Sequence, residues 1–348
     1  MTTSLPIDID DLLDFLVPLL NTPSPTGWTE AAVTLCEQRF ARFGAPARTH
    51  KGAVVLTLPG LSDDAPRGIT AHVDTLGAMV KEIKPNGRLK LTKIGGFAWN
   101  TIEGEGCTIF THDGGQVRGS LLLNQASSHI FGVATGETKR DDDALEVRLD
   151  ARTRSAEETR TLGIGVGDVV AFDPRVEVGT AGFVRSRHLD DKAAVACVYA
   201  ALAALERAGE RPAQRTTIHI SNYEEVGHGA ASGWPADLVE LLTVDMAAVG
   251  PGQASDEFSA CICVKDSGGP YHPDMNRKLR DLATAAGIPH AVDIYPYYGS
   301  DGEAYWRAGG DVRVGLVGPG VDASHNYERT HRESLVHTAQ LLAEYIRH

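Results

Sequence analysis

The sequence has 348 residues, 42% of them hydrophobic and 23% charged, which suits a sizeable core in two domains rather than three and argues against general disorder. Its formal net charge of -13 leaves no cationic field for nucleic acid or an anionic membrane, and no stretch reaches the roughly 18 consecutive apolar residues of a membrane span. The start, MTTSLPIDIDDLLDFLVPLL, lacks the basic region of a secretory leader, and five cysteines, an odd number without C-x-x-C spacing, fit a reducing, cytoplasmic compartment.

In chain order, the first 75 residues predict a helix near 8–21, another near 28–43, and strands at AVVLTL and RGITAHVD. Residues 76–178 change texture: glycine-rich, with short alternating runs such as RLKLTKI, CTIF and SLLL, they read as an inserted small β-barrel-like domain. From 179 to 348 strand and helix alternate again. SRHLDDKAAVACVYAALAALERAG is a helix stopped by Gly209, and TTIHIS and LLTVDMA are strands. HPDMNRKLRDLATAAG is a helix closed by Gly287, VRVGLVG is a strand, and RESLVHTAQLLAEYIRH is a final helix. Cys261 and Cys263 alternate along one strand and share a face, as small buried thiols do. The fold expected is α/β: residues 1–75 and 179–348 form a central mixed sheet with helices on both faces, interrupted by the β domain at 76–178.

Five motifs carry candidate chemistry. In TAHVDTLG, His72 and Asp74 lie two apart on a strand and project the same way, and a carboxylate beside a histidine is what orients a metal ligand. In RHLDDKAAV, Asp190 and Asp191 precede a helix, where one aspartate would serve as a cap and the second needs a cation. In ISNYEEVGHGA, Glu224 and Glu225 point different ways, so one can bind metal while its neighbour addresses a water. Asp245 ends the apolar strand LLTVDMA, a costly place for an unpaired carboxylate. GVDASHNYERTHRE offers His325 and His331. Each motif alone has an ordinary structural reading. Together they point one way: His72, Glu225 and Asp245 fall outside the carboxyl ends of strands, where an α/β sheet puts its ligand sites, and Asp190 lies at a strand-to-helix turn. Carboxylate oxygens with imidazole nitrogens and no thiolate suit zinc, cobalt or manganese.

The order of these motifs resembles the tetrahedral aminopeptidase family, the dinuclear metallopeptidases that include glutamyl and deblocking aminopeptidases. The resemblance runs from NTPSPTGWTE through AHVD, GIGVGDVVAF, LDDK, EEVGHGA, VDMA and GSDGEA to the terminal histidine motif. It implies an aminopeptidase with two divalent metal ions per subunit, zinc or cobalt, with manganese as an option. His72 and Asp245 would bind one ion, Glu225 and His325 the other, and Asp190 both. Glu224 would be the general base and Asp74 would hold His72. The Asp190–Asp191 peptide would be cis. Ser300 and Asp301 would lie on the substrate side. The inserted domain would serve dimerisation, with dimers building a dodecamer that admits peptides. Thr75, Lys192, Ser300 and the HNYERTH segment depart from the family pattern and mark an outlying branch, which looks like one linked to a glutamine-dipeptide osmolyte system. They also leave His331 as a competitor of His325. Two alternatives share the same residues: an N-deacylase or carboxypeptidase acting on a modified amino acid or dipeptide, and a non-catalytic metal-binding homologue.

Overall fold

The computed structural model describes residues 4–348; the first three residues of the stretch read for a leader lie outside the described residues. The chain forms two compact units, one of residues 1–74 with 175–348 and one of residues 75–174.

The larger unit is built on a 12-stranded mixed sheet among the described residues. Its centre is parallel: Gln214–Ser221, Ser62–His72, Glu240–Val244 and Arg313–Asp322 lie side by side in that order. Antiparallel neighbours flank this centre, Val54–Leu58 on one side and Ala260–Lys265 on the other. Alternation along the strands sorts side chains to two cores. Leu242, Val244, Ile262, Val317 and Val321 face a large core under the helices Ile9–Asn21, Leu189–Ala208, Pro273–Ala286 and Arg332–Arg347. Leu241, Cys261, Cys263, Val314 and Leu316 face the other, beneath Trp234, Tyr271, Tyr295 and the short helix Asp301–Arg307. The shared face expected for the two cysteines is the aromatic one. Helices cover both faces as expected, but unequally.

The Leu189–Ala208 helix explains why its sequence shows so little amphipathicity: every residue from Leu189 to Leu205 is buried. Alanine at nearly half its positions lets a helix sit against sheet and helices at once, without side chains holding them apart. It ends at Gly209 in the left-handed conformation, and Pro273–Ala286 ends the same way at Gly287.

The smaller unit is a closed six-stranded antiparallel barrel, ordered Gly77–Ile83, Leu89–Ile94, Leu145–Leu149, Gln116–Leu123, Gly106–Phe110 and Val169–Phe172. Its alternate residues, among them Val80, Leu91, Ile109, Leu121, Val147 and Val170, fill the interior. Closure removes the open edges that short glycine-bounded strands would otherwise present.

Candidate metal centre

Strand register brings the site together. Ser221 pairs with His72 and Thr243 with Thr70, so the chain leaves three neighbouring parallel strands at one level. His72 is the last residue of its strand, Asp245 follows Val244, and Glu224 and Glu225 lie three and four residues past Ser221, in a single tight turn. Gly318 permits the approach on the next strand: a Cβ there would stand 1.7 Å from the Asp245 carbonyl oxygen.

Asp190 is the common member. Its Oδ1 lies 3.2 Å from His72 Nε2 and its Oδ2 lies 3.3 Å from His325 Nε2. Ligand atoms of His72, Asp190 and Asp245 fall within 4.8 Å of one another, as do those of Asp190, Glu225 and His325. His325 Nε2 is 3.7 Å from Glu225 Oε2, and His72 Nε2 is 3.7 Å from Glu224 Oε2. His72, Asp190 and Asp245 are buried, whereas the His325 side chain keeps 39% exposure, so the second group borders solvent. The Asp190–Asp191 peptide is cis. Neither aspartate caps the helix: Asp190 turns to the histidines, and Asp191 accepts the His72 backbone N–H.

Two carboxylates organise this cluster from behind. Asp74, fully buried, receives the Thr26 hydroxyl at 2.7 Å and the backbone N–H groups of Glu224 and Glu225 at 3.1 and 3.3 Å. Its own carbonyl meets His72 Nδ1 at 3.0 Å. One residue therefore orients a histidine and the glutamate pair together. Glu328, also fully buried, accepts the backbone N–H of Asp190 and of His325, both at 3.1 Å. This fastening holds His325 at φ +62, a left-handed backbone that non-glycine residues adopt mainly where tertiary contacts enforce it. Sequence reasoning passed over Glu328; its only trace there is an acidic residue three positions after His325.

His331 lies elsewhere. Its ring caps the last helix through the Glu333 N–H, meets the Ala181 carbonyl and packs on Phe183. Ser300 and Asp301 are buried and engaged with protein groups: Ser300 with the Tyr271 hydroxyl, Asp301 with Thr70, Ser221 and Ala230. Such an engaged Asp301 has the contacts of a positioning group rather than of a residue free to meet substrate.

The electrostatics are those of a site short of positive charge. Burial, and then the Asp190 charge, push the Glu225 carboxyl up to about 8 and Asp245 well above its usual value. Burial likewise raises Glu224, with Asp245 and Asp301 adding to the effect. Asp190 goes the other way: burial opposes its charge, but hydrogen bonds with His325 and His72 outweigh it. His325 rises to about 10 although burial works against it, because Asp190 and Glu225 face it. Three of the four carboxylates, Glu224, Glu225 and Asp245, are pushed toward the protonated form, the imbalance that a bound cation would relieve. Oxygen and nitrogen donors without sulfur fit a divalent ion such as zinc, cobalt or manganese.

An α/β sheet with carboxylates and histidines gathered at its carboxyl edge, interrupted by a β-barrel, is the build of a metal-dependent exopeptidase. The family model described as M42 glutamyl aminopeptidase matches residues 52–341, and the chain belongs to that family of metal-dependent aminopeptidases, hydrolases of peptide bonds. A Bacillus subtilis protein, YhfE, provisionally named an aminopeptidase, is 47% identical over 335 residues, with 96% of each chain covered. Among solved structures, an aminopeptidase from the archaeon Desulfurococcus kamchatkensis superposes with a TM-score of 0.87 at 22% identity, covering 97% of this chain and 95% of its own. The TET1 peptidase of Pyrococcus horikoshii, which assembles into a tetrahedron or a large octahedral shell, gives 0.83 at 19%, covering 96% and 99%. Among the described residues no helix is long and apolar enough to cross a membrane.

Proposed function

We propose that the protein is a dinuclear aminopeptidase that removes the N-terminal residue of peptides, with Asp190 shared between two divalent ions. His72 and Asp245 would hold one ion, Glu225 and His325 the other. The observation that carries this reading is the position of Asp190, whose two oxygens address two different histidines. When bound, the ions would lower the pKa of a water and polarise the scissile carbonyl. Zinc or cobalt is the identity best matched to the donor set, with manganese next.

Glu224 is the general base. It lies beside the cluster without belonging to either ligand group, and burial raises its carboxyl, which suits a group that must accept a proton from water and return it to the leaving amine. Asp74 keeps it there by holding its backbone N–H, and also keeps His72 in the orientation that turns Nε2 toward Asp190. The barrel unit would serve dimerisation, with dimers assembling into a dodecamer in the cytoplasm, as the resemblance to the tetrahedral enzymes suggests.

The test is Glu224→Gln. Metal content measured after dialysis should stay at two ions per subunit, while hydrolysis of free-amine aminoacyl substrates falls about 100-fold or more. If the variant turns over as fast as the parent, Glu224 is not the base. A parent enzyme that cleaves only acyl-capped peptides would reassign the activity to deacylation.

A further inference from the structure

The turn carrying Glu224 and Glu225 has few apolar anchors of its own: Val226 and His228 are exposed. Its placement comes from polar contacts: Asp74 holds the two glutamate N–H groups at its middle, and a second carboxylate, Asp301, reaches both of its ends. Asp301 Oδ2 accepts the Ser221 hydroxyl at 2.5 Å, where the strand gives way to the turn, and Oδ1 accepts the Ala230 N–H at 2.8 Å, where the turn returns. Oδ2 also receives the Thr70 hydroxyl at 3.1 Å, from the residue two before His72. Asp301 thus spans both the loop of the base and the strand of a metal ligand.

Two glycines make room for it. A Cβ on Gly229 would sit 2.2 Å from Asp301 Oδ1, so the loop passes directly over the carboxylate. A Cβ on Gly302 would lie 2.4 Å from Val314 Cγ1 and 2.5 Å from Thr243 Oγ1, so the short helix that begins at Asp301 lies tight on the sheet and carries the carboxylate with it. The Lys51 ammonium donates to the carbonyls of His228 and Gly229, at 2.5 and 2.6 Å. Charge of one sign takes the turn's donors and charge of the other takes its acceptors. Charge-assisted bonds of this kind are stronger than neutral ones, and a well-packed supporting shell is what fixes a catalytic group to within a fraction of an ångström.

We propose that Asp301 is the positioning residue for the general base: it closes the 221–230 turn onto the His72 strand and thereby fixes where the Glu224 carboxylate stands, without touching substrate. This rests on the reading of Glu224 as the base. A misplacement of about 1 Å at a reacting group costs on the order of 100-fold in rate.

The test is a double-mutant cycle with metal content measured on every variant. Asp301→Asn should lower kcat by about 10- to 100-fold with KM changed less than about threefold, and should shift the pH profile of kcat/KM, because the base is displaced rather than removed. Metal should stay at two ions per subunit. In the Glu224→Gln background the same change should add little, since its effect runs through a base already gone. Losses that multiply, or a KM raised tenfold with kcat unchanged, would overturn the proposal and return Asp301 to the substrate side. If Asp301→Asn fails to fold, Ser221→Ala removes one of its three bonds and should show the same non-additivity with a smaller loss; additivity there overturns it equally. Full activity of Glu224→Gln alone would instead remove the general-base reading and leave the cycle without its premise.

Discussion

The two ends of the parallel sheet handle buried charge in opposite ways. At the amino end a single carboxylate, Glu240, is surrounded by cations: Lys278 at 2.9 Å, Arg313 at 3.1 Å and Arg67 at 3.4 Å, with the Tyr345 hydroxyl at 3.2 Å. Arg67 and Lys278 also lie over the Tyr345 ring. Burial works against the Glu240 charge, yet Lys278 and the two arginines hold its carboxyl below the usual value. At the carboxyl end carboxylates outnumber cations and most are pushed up. The first arrangement is complete within the protein. The second is complete only with something added, and a buried cluster left that way is the mark of a binding site rather than of a stabilising network.

The contrast breaks most visibly at Asp190. Asp190→Ala should release both ions together and lower turnover roughly 1000-fold or more, since several kcal/mol of charge stabilisation go with them. Retention of one tightly held ion with partial activity would mean that the two groups do not share this residue. Next comes the amino end. Glu240→Ala leaves Arg67 buried without its counter-charge and should cost about 3 kcal/mol in unfolding free energy, measured by urea titration. Turnover per folded molecule should be unchanged; a fall in specific activity would show that the two ends are coupled.

The smallest effect is the most discriminating. A carboxyl raised by folding contributes stability that is full below its unfolded value and is lost as pH rises through the folded one. Glu225, with an ordinary value of 4.5 and a folded value of about 8, therefore makes the metal-free protein lose stability between pH 5 and pH 7. His325, at about 10, extends the loss to higher pH. Glu240 is depressed, so its contribution fades only under acid. Lys192, which burial lowers to about 7 from an ordinary value of 10.5, acts in the opposite sense, adding stability as pH rises, but mainly from the top of this window upward. Chelated protein should melt at lower temperature at pH 7 than at pH 5. Protein loaded with zinc should show a weaker or reversed trend, because metal binding displaces protons. A metal-free protein that gains stability over that range would contradict the charge imbalance assigned to the carboxyl end.

Local pattern was enough to place most of the elements. The apolar period of Pro273–Ala286 and its glycine stop, the alternation that sorts Cys261 and Cys263 to one face, and the change to short glycine-bounded runs near residue 76 are all consequences of side-chain spacing along one segment. The carboxylate and histidine pairs were visible for the same reason, since neighbours in sequence show their chemistry without folding. Other facts need segments far apart in sequence. Which of His325 and His331 meets Asp190 depends on Glu328 holding a left-handed backbone at His325, and on His331 being taken up by a helix cap and Phe183. That Asp74 serves the glutamate turn 150 positions away, and that Asp301 braces the same turn, follows from strand register, which brings Ser221 level with His72. A sequence encodes periodicity and composition locally. The direction of a lone buried carboxylate is decided by whichever backbone donors the finished sheet leaves within its reach.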